Sequence, residues 1–250
     1  MWKLQENALS KKDLISLSQY ILKTKKLTQG KEVEKFEKTF SKWNKSKYSV
    51  FVNSGSSANL VIVSAARELF GWRYQDEIIV PSLTWPTTVN PVIQSGLKPV
   101  FVDTNLEDLS MNYDELKQKI NKKTKAIFVA HILGFPSNIG KIKEIIKGKN
   151  IKILEDCCES IGAKIKGKKI GNFGTAGSFS FYWGHHMTTI EGGMIVTNNL
   201  KFYNLCKMKR SHGFARELTN KQQKKIKKKF KDIDLNFLFL TDGFNLRSTN

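Results

Sequence analysis

Arginine is scarce in this 250-residue chain, and so are cysteine and long apolar runs. Only five of the 42 basic residues are arginine, whose planar guanidinium binds phosphates and guanine edges, so the composition argues against a nucleic-acid binder. Three cysteines are too few for a disulfide scaffold and fit a reducing compartment. No apolar run reaches the ~18–20 residues that cross a bilayer, and residues 1–13 lack the apolar stretch of a secretory signal. These absences predict a cytoplasmic protein with neither nucleic acid nor membrane as a partner.

The net charge of +20 comes mainly from lysine. Seven lysines lie within residues 221–231, and the others are scattered along the chain. We interpret the excess as a solvated, lysine-rich surface with one basic loop at 221–231. A surface that attracts a small anionic substrate is the alternative, and nucleic-acid binding is the third interpretation.

Apolar segments of strand length alternate with segments of helical spacing. The expected strands are 48–52, 77–80, 99–102, 126–130, 151–154, 178–182 and 193–197, and the expected helices are 11–23, 32–43, 58–70, 88–94, 111–120 and 139–146. Because the strands are apolar on both faces, the pattern predicts an α/β fold with a mostly parallel sheet and helices on both sides. In such sheets the ligand binds at the carboxyl ends of the strands.

Two polar segments follow predicted strands. Residues 53–59, Asn-Ser-Gly-Ser-Ser-Ala-Asn, join a strand to a helix, where backbone N–H groups favour an anion. An ordinary strand–helix turn explains this segment equally simply. Trp85 lies between two prolines after the next strand, where it could stack on an aromatic ligand or serve as a core or lid residue.

Two further segments carry titratable side chains. Asp156 ends a buried strand and needs a cationic or hydrogen-bonding partner, for which a protonated pyridine nitrogen would serve. The adjacent Cys157 and Cys158 are interpreted as packing residues. His185 and His186 lie between two apolar strands, and since no third histidine stands at zinc-ligand spacing, a general base is favoured over a metal site.

The order of these segments resembles the sugar aminotransferases of the DegT/DnrJ/EryC1/StrS family. The resemblance extends over nearly the whole chain and is most specific in residues 53–59, 155–159 and 178–193. It implies a fold-type-I transferase dependent on pyridoxal 5′-phosphate (PLP). It assigns the cofactor phosphate to Gly55, Ser56 and Ser180, ring stacking to Trp85, the pyridine nitrogen to Asp156, and the ring hydroxyl or the substrate to Glu159.

One departure from the family pattern bears on the chemistry. The position five residues after Ser180 is, in the aminotransferases, the lysine that binds the cofactor covalently, and here it is His185. Imidazole cannot form that bond, so the cofactor is expected to be held noncovalently, as pyridoxamine 5′-phosphate (PMP). This exchange is similar to that in the 3-dehydratases of nucleotide-linked 4-keto-6-deoxyhexoses, where a base at this position moves a proton at the cofactor's C4′ atom.

The resemblance therefore implies 3-dehydration of a sugar of the GDP-4-keto-6-deoxymannose type for deoxysugar and O-antigen biosynthesis, with glutamate regenerating PMP. His185 is preferred over His186 as the base. An iron–sulfur dehydratase branch is not favoured, because only Cys206 follows Cys158. A sugar aminotransferase and an inactive, sugar-nucleotide-binding family member remain the alternatives.

Three residues near the C-terminal end have weaker assignments. His212 matches a family segment near the active site, while Asn245 and Arg247 belong to a motif that reaches the neighbouring subunit's site, which implies a homodimer with shared active sites. The domain expectation is a large PLP-binding domain at 1–200, including an N-terminal arm and helix at 1–30. Residues 201–250 are expected to begin the connection to a small C-terminal domain that is largely missing, so the chain is expected to be a fragment.

Overall fold

The structure, a computed structural model, describes residues 9–250, so the first eight residues of the predicted N-terminal arm lie outside the described part. The helices are α1 (Lys11–Lys23), α2 (Lys31–Asn44), α3 (Gly55–Phe70), α4 (Pro86–Gln94), α5 (Tyr113–Lys119), α6 (Ile139–Ile145), α7 (Leu200–Arg210) and α8 (Asn220–Lys229). The strands are β1 (Tyr48–Val52), β2 (Glu77–Pro81), β3 (Lys98–Val102), β4 (Thr124–Ala130), β5 (Lys152–Asp156), β6 (Lys164–Ile165), β7 (Lys168–Lys169), β8 (Ala176–Ser180) and β9 (Gly193–Thr197). Short 3-10 helices occupy Ala215–Glu217 and Leu235–Phe237.

Seven strands form one sheet in the order β1-β9-β8-β5-β4-β2-β3. Strand β9 pairs antiparallel with both β1 and β8, and the remaining pairs are parallel. The predicted mostly parallel sheet is therefore confirmed, with β9 as its one reversed strand. The small β6–β7 hairpin lies outside this sheet.

Helices cover both faces of the sheet. Along β2, Ile78 and Val80 pack into the core formed with α3 and α7, whereas Ile79 packs on the opposite side with α5 and α6. All three side chains are fully buried, which is why β2 reads as a continuous apolar run instead of alternating polar and apolar residues.

The turn from β1 into α3 has a short polar sequence that begins the helix. Ser54 is the N-cap, and its side chain accepts a hydrogen bond from the Ser57 N–H at 3.0 Å. Strand β9 runs directly beneath this turn, because a Cβ atom on Gly193 would lie 2.1 Å from the Ser54 carbonyl oxygen. The glycine pair at 192–193 thus brings the reversed strand against the start of α3.

The last 50 residues contain two features that the sequence did not indicate. Helix α7 follows the predicted domain boundary near residue 200, and its Phe202, Leu205 and Cys206 pack into the same core as α3. The predicted basic loop at 221–231 is wrong, since most of it forms α8, begun by a capping box between Thr219 and Gln222. Lysine and glutamine are good helix formers, so a helix forms there without any buried residue. No helix in the described part of the chain is long and apolar enough to span a membrane.

A buried ion pair joins α7 to the first part of the chain. The Arg210 side chain is 3% exposed, and its Nη1 donates to Glu37 Oε1 and to the Phe51 carbonyl oxygen, both at 2.7 Å. We expect Arg210→Ala to lower the free energy of unfolding by about 3 kcal/mol, because it leaves the largely buried Glu37 carboxylate without its cation. Urea denaturation measures this loss. Arg73→Ala, at an exposed site, is the matched control, and equal unfolding midpoints for the two variants would contradict the prediction.

Candidate active site

A cavity of about 740 Å³ opens at the carboxyl ends of β2, β4, β5 and β8 and at the start of α3. This is the edge of the sheet at which the sequence predicted a ligand site. Seven of the predicted site residues line it: Gly55, Ser56, Trp85, Asp156, Glu159, Ser180 and His185.

The first turn of α3 forms one end of the cavity. A Cβ atom on Gly55 would lie 2.6 Å from Ser180 Cβ, so glycine is required for the helix to approach strand β8 this closely. No acidic side chain lies in the first turn of α3, and its N–H groups and helix dipole therefore favour an anion beside Ser180. A phosphate group fits this end.

Asp156 lies at the floor of the cavity and is 7% exposed. Its Oδ2 accepts hydrogen bonds from Asn59 Nδ2 at 2.7 Å and Thr88 Oγ1 at 2.8 Å. Its Oδ1 accepts from the Cys158 N–H at 3.1 Å. These donors fix the orientation of the carboxylate at the cavity, where it would accept a hydrogen bond from a protonated pyridine nitrogen.

The donors Asn59 and Thr88 were not predicted from the sequence. Asn59 follows Gly55 by four residues and therefore lies on the same face of α3, which was a usable signal. Thr88 is one of two adjacent threonines, and nothing in the sequence distinguishes it from Thr87. The Thr88 hydroxyl is within 2.8 Å of the Thr84 hydroxyl as well, so the turn before α4 is tied to the same carboxylate.

His185 is half-buried on the cavity wall, while His186 is exposed and is not among the lining residues. Burial lowers the pKa of His185, the neighbouring His186 adds to this, and the charges of Glu159 and Asp156 oppose it. The imidazole therefore stays neutral to a lower pH than a free imidazole, and the neutral form is the one that accepts a proton. The Tyr182 ring packs edge-on against His185, with 6.2 Å between ring centroids.

The carboxylate of Glu159 faces the same cavity. Its Oε2 accepts a hydrogen bond from the Leu133 N–H at 3.2 Å. Trp85 is 69% exposed at the cavity wall, with an open ring face that an aromatic ligand could cover. None of the lining residues in the described part of the chain is a lysine, although the chain has 37.

The two adjacent cysteines differ in their surroundings. Cys157 is fully buried in the core, as predicted, but Cys158 lines the cavity, so the packing interpretation is wrong for Cys158. Burial and the nearby Asp156 charge raise the pKa of the Cys158 thiol well above its ordinary value. The thiol is therefore protonated at neutral pH and is a poor nucleophile.

The three weakly assigned residues lie outside the lining of the cavity in the described chain. The His212 N–H donates to the Phe244 carbonyl oxygen at 2.8 Å, and Arg247 donates to Asn245 Oδ1 from Nε at 3.2 Å and from Nη2 at 3.0 Å. Their assignment depends on a neighbouring subunit and stays a prediction.

The residues present fit PLP. The cavity provides a helix N-terminus for a phosphate, a fixed buried carboxylate for a pyridine nitrogen, and an exposed indole for the ring face. The fold and this cavity together define a pyridoxal-phosphate protein with the aminotransferase fold.

The chain belongs to the DegT/DnrJ/EryC1/StrS aminotransferase family, whose model matches residues 9–250. Over 234 residues it is 39% identical to GDP-4-keto-6-deoxy-D-mannose 3-dehydratase of Yersinia pseudotuberculosis, an alignment that covers 92% of this chain and 59% of that protein. It is 38% identical over 188 residues to GDP-perosamine synthase of Escherichia coli O157:H7, covering 75% of this chain and 50% of the relative. The chain thus spans 50–59% of the length of these two relatives.

Solved structures confirm the fold and the predicted cofactor. A histidine-to-asparagine variant of GDP-4-keto-6-deoxymannose-3-dehydratase with bound GDP-perosamine superposes with a TM-score of 0.90 at 35% identity, covering 100% of this chain and 65% of that one. The same enzyme with a trapped PLP-glutamate geminal diamine superposes with a TM-score of 0.89 at 34% identity, with the same coverage.

Because residue 185 lies in the cavity and residue 186 does not, a lysine at each position should behave differently. We expect His185→Lys to become covalently linked to added PLP, since its primary amine would face the cofactor aldehyde. Borohydride reduction followed by peptide mass mapping detects the linkage. His186→Lys is the matched control and should stay unlabelled. An unlabelled His185→Lys variant, or labelling of both variants, would contradict the placement of His185.

Proposed function

We propose that the protein is a PLP/PMP-dependent 3-dehydratase of a nucleotide-linked 4-keto-6-deoxyhexose, of the GDP-4-keto-6-deoxymannose type, in deoxysugar and O-antigen biosynthesis. The observation that carries the proposal is His185 in a cavity that has a cofactor carboxylate and a phosphate end but no lysine among its described lining residues. The likeness to the Yersinia pseudotuberculosis dehydratase over 92% of the chain supports the same reaction.

Each residue has a part that follows from its position. The first turn of α3 and Ser180 bind the cofactor phosphate, Asp156 holds the pyridine nitrogen in its protonated form, and Trp85 covers the ring. The bound cofactor supplies an electron sink for a carbon attached to it. A ring nitrogen of His185 takes and returns the proton at the C4′ atom, and its lowered pKa keeps it in the accepting form near neutral pH.

The balance of the reaction requires a reductant, and glutamate supplies it. The C3 hydroxyl of the sugar is replaced by hydrogen while the C4 ketone is kept, which is a two-electron reduction. Glutamate is oxidised to 2-oxoglutarate, and its nitrogen leaves as ammonia. Ammonia release is therefore specific to this reaction, because an aminotransferase leaves the nitrogen on the sugar.

A sugar aminotransferase is the second candidate, because the GDP-perosamine synthase of Escherichia coli O157:H7 is nearly as similar to this chain. An inactive binding subunit is the third. The intact carboxylate network at Asp156 and the close approach of Gly55 to Ser180 favour a working cofactor site over it.

The product of one incubation separates these candidates. Full-length protein is incubated with PLP, glutamate and GDP-4-keto-6-deoxymannose. The mass of the sugar product is determined by mass spectrometry, and the ammonia released is measured enzymatically. We expect a 3-deoxy-4-keto sugar with equimolar ammonia and 2-oxoglutarate. An amino sugar that keeps its oxygen at C3 would contradict the dehydratase proposal and favour the aminotransferase. A binding subunit would give neither product.

We further propose that two copies of the chain form a homodimer with shared active sites. Large apolar side chains that a second copy would cover are exposed on the cavity lining, at Leu83, Trp85 and Leu133, and in the segments next to lining residues, at Phe135, Met187 and Ile190. Sedimentation equilibrium should show twice the mass of one chain, and a single-chain species at micromolar concentration would contradict the dimer.

A cytoplasmic location belongs to the same proposal, and the three unpaired cysteines are consistent with it.

A further inference from the structure

A fully buried carboxylate lies next to Asp156 and takes no part in the reaction proposed above. Glu155 Oε1 accepts hydrogen bonds from the N–H groups of Phe173 and Gly174, both at 2.7 Å, and its Oε2 accepts from the Gly171 N–H at 2.8 Å. His131 Nε2 lies 3.3 Å from the same Oε2. Four donors around one carboxylate satisfy the charge that burial would otherwise penalise.

His131 is the side chain that connects this carboxylate to the cavity. Its Nδ1 accepts a hydrogen bond from the Ser137 N–H at 3.1 Å, so the ring hydrogen is on Nε2 and is donated to Glu155. The backbone N–H of His131 donates to the Asp156 carbonyl oxygen at 2.9 Å, and the His131 carbonyl oxygen accepts from Ser160 Oγ at 2.7 Å. Both ring nitrogens and both backbone groups of His131 are therefore used.

These bonds fix the turn at residues 132–134, which forms part of the cavity wall. Ser160 Oγ accepts from the Gly134 N–H at 2.9 Å, and Leu133 has a φ of 50°, in the left-handed region. The Leu133 side chain is 70% exposed, so side-chain packing does not hold the turn in place. The Leu133 N–H nevertheless binds the Glu159 carboxylate at 3.2 Å.

We propose that His131 is a positioning residue: seated on the buried Glu155 carboxylate, it holds the 132–134 turn so that Leu133 orients Glu159 towards His185. The proposal rests on the assigned role of His185 as the base of the site. The charged and titratable groups around His185 are Asp156 at the end of β5, Glu159 in the turn after it, and Tyr182 and His186 in its own loop. Glu191 also lines the cavity.

The position of Glu159 has a measurable consequence. Its negative charge raises the pKa of His185 against the effect of burial. If Glu159 swings away from the cavity, His185 loses this stabilisation of its charged form, and its titration midpoint falls. The titration midpoint of His185 therefore reports the position of Glu159, and it can be measured without enzymatic turnover.

The test is an NMR titration of the histidine rings in full-length, substrate-free protein. The chain has four histidines, and His185→Asn assigns the His185 signal by its loss. We expect Glu159→Gln to lower the His185 midpoint, and His131→Leu and Ser160→Ala to lower it as well. Neither should lower it further when combined with Glu159→Gln. His131→Gln is the matched control, because its amide can both donate to Glu155 and accept from Ser137, and it should keep the midpoint near that of the unaltered protein.

The proposal is overturned if Glu159→Gln lowers the midpoint while Ser160→Ala and a folded His131→Leu leave it unchanged, or if Glu159→Gln itself has no effect. Where circular dichroism shows that His131→Leu has not folded, Ser160→Ala and His131→Gln decide the result. The product assay is a separate measurement, so a failed dehydratase proposal and a failed positioning proposal are distinguishable.

Discussion

Two consecutive carboxylates end strand β5 in the middle of the sheet, and each needs hydrogen-bond donors on its own side. Glu155 takes its donors from the Gly171–Gly174 turn and from His131, whereas Asp156 takes its donors from Asn59, Thr88 and the backbone after it. An unsatisfied buried carboxylate costs several kcal/mol, so the surrounding segments are constrained to reach this point. Helices α3 and α4 and the turns after β4 and β7 are held together there, and the cavity is the space they enclose.

The same constraint determines where the functional groups of the site lie. Because Asn59 lies one turn beyond Gly55 on α3, the helix that offers its N-terminus to a phosphate also fixes the carboxylate offered to a pyridine nitrogen. The distance between these two ends is therefore set by one rigid element. His185 lies on the loop between the parallel β8 and the reversed β9, where partial burial lowers the pKa of its imidazole and so favours the neutral form.

The strands and most helices were predictable because their signals are local. Apolar runs such as β4 and β5 indicate strands buried on both faces, and the serine and glycine turn before α3 indicates a helix start. The predictions were wrong where a local sequence is compatible with two different structures. Residues 221–231 suggested a loop by charge but form a helix by propensity and capping, and Cys158 suggested packing although it faces the cavity.

The sequence by itself determined the alternation of strands and helices, the residue types at the ends of the strands, and the replacement of the expected lysine by His185. Only the tertiary structure decided which of these side chains meet. Asn59, Thr88 and Asp156 come from three different segments and converge through hydrogen bonds of 2.7–2.8 Å. Likewise, the contacts from Glu155 through His131 and Ser160 to Glu159 alternate between side chains and the backbone groups of residues 131, 133 and 134, and those backbone groups carry no residue-specific signal. Long-range convergence depends on the twist and order of the sheet, and no local pattern encodes it.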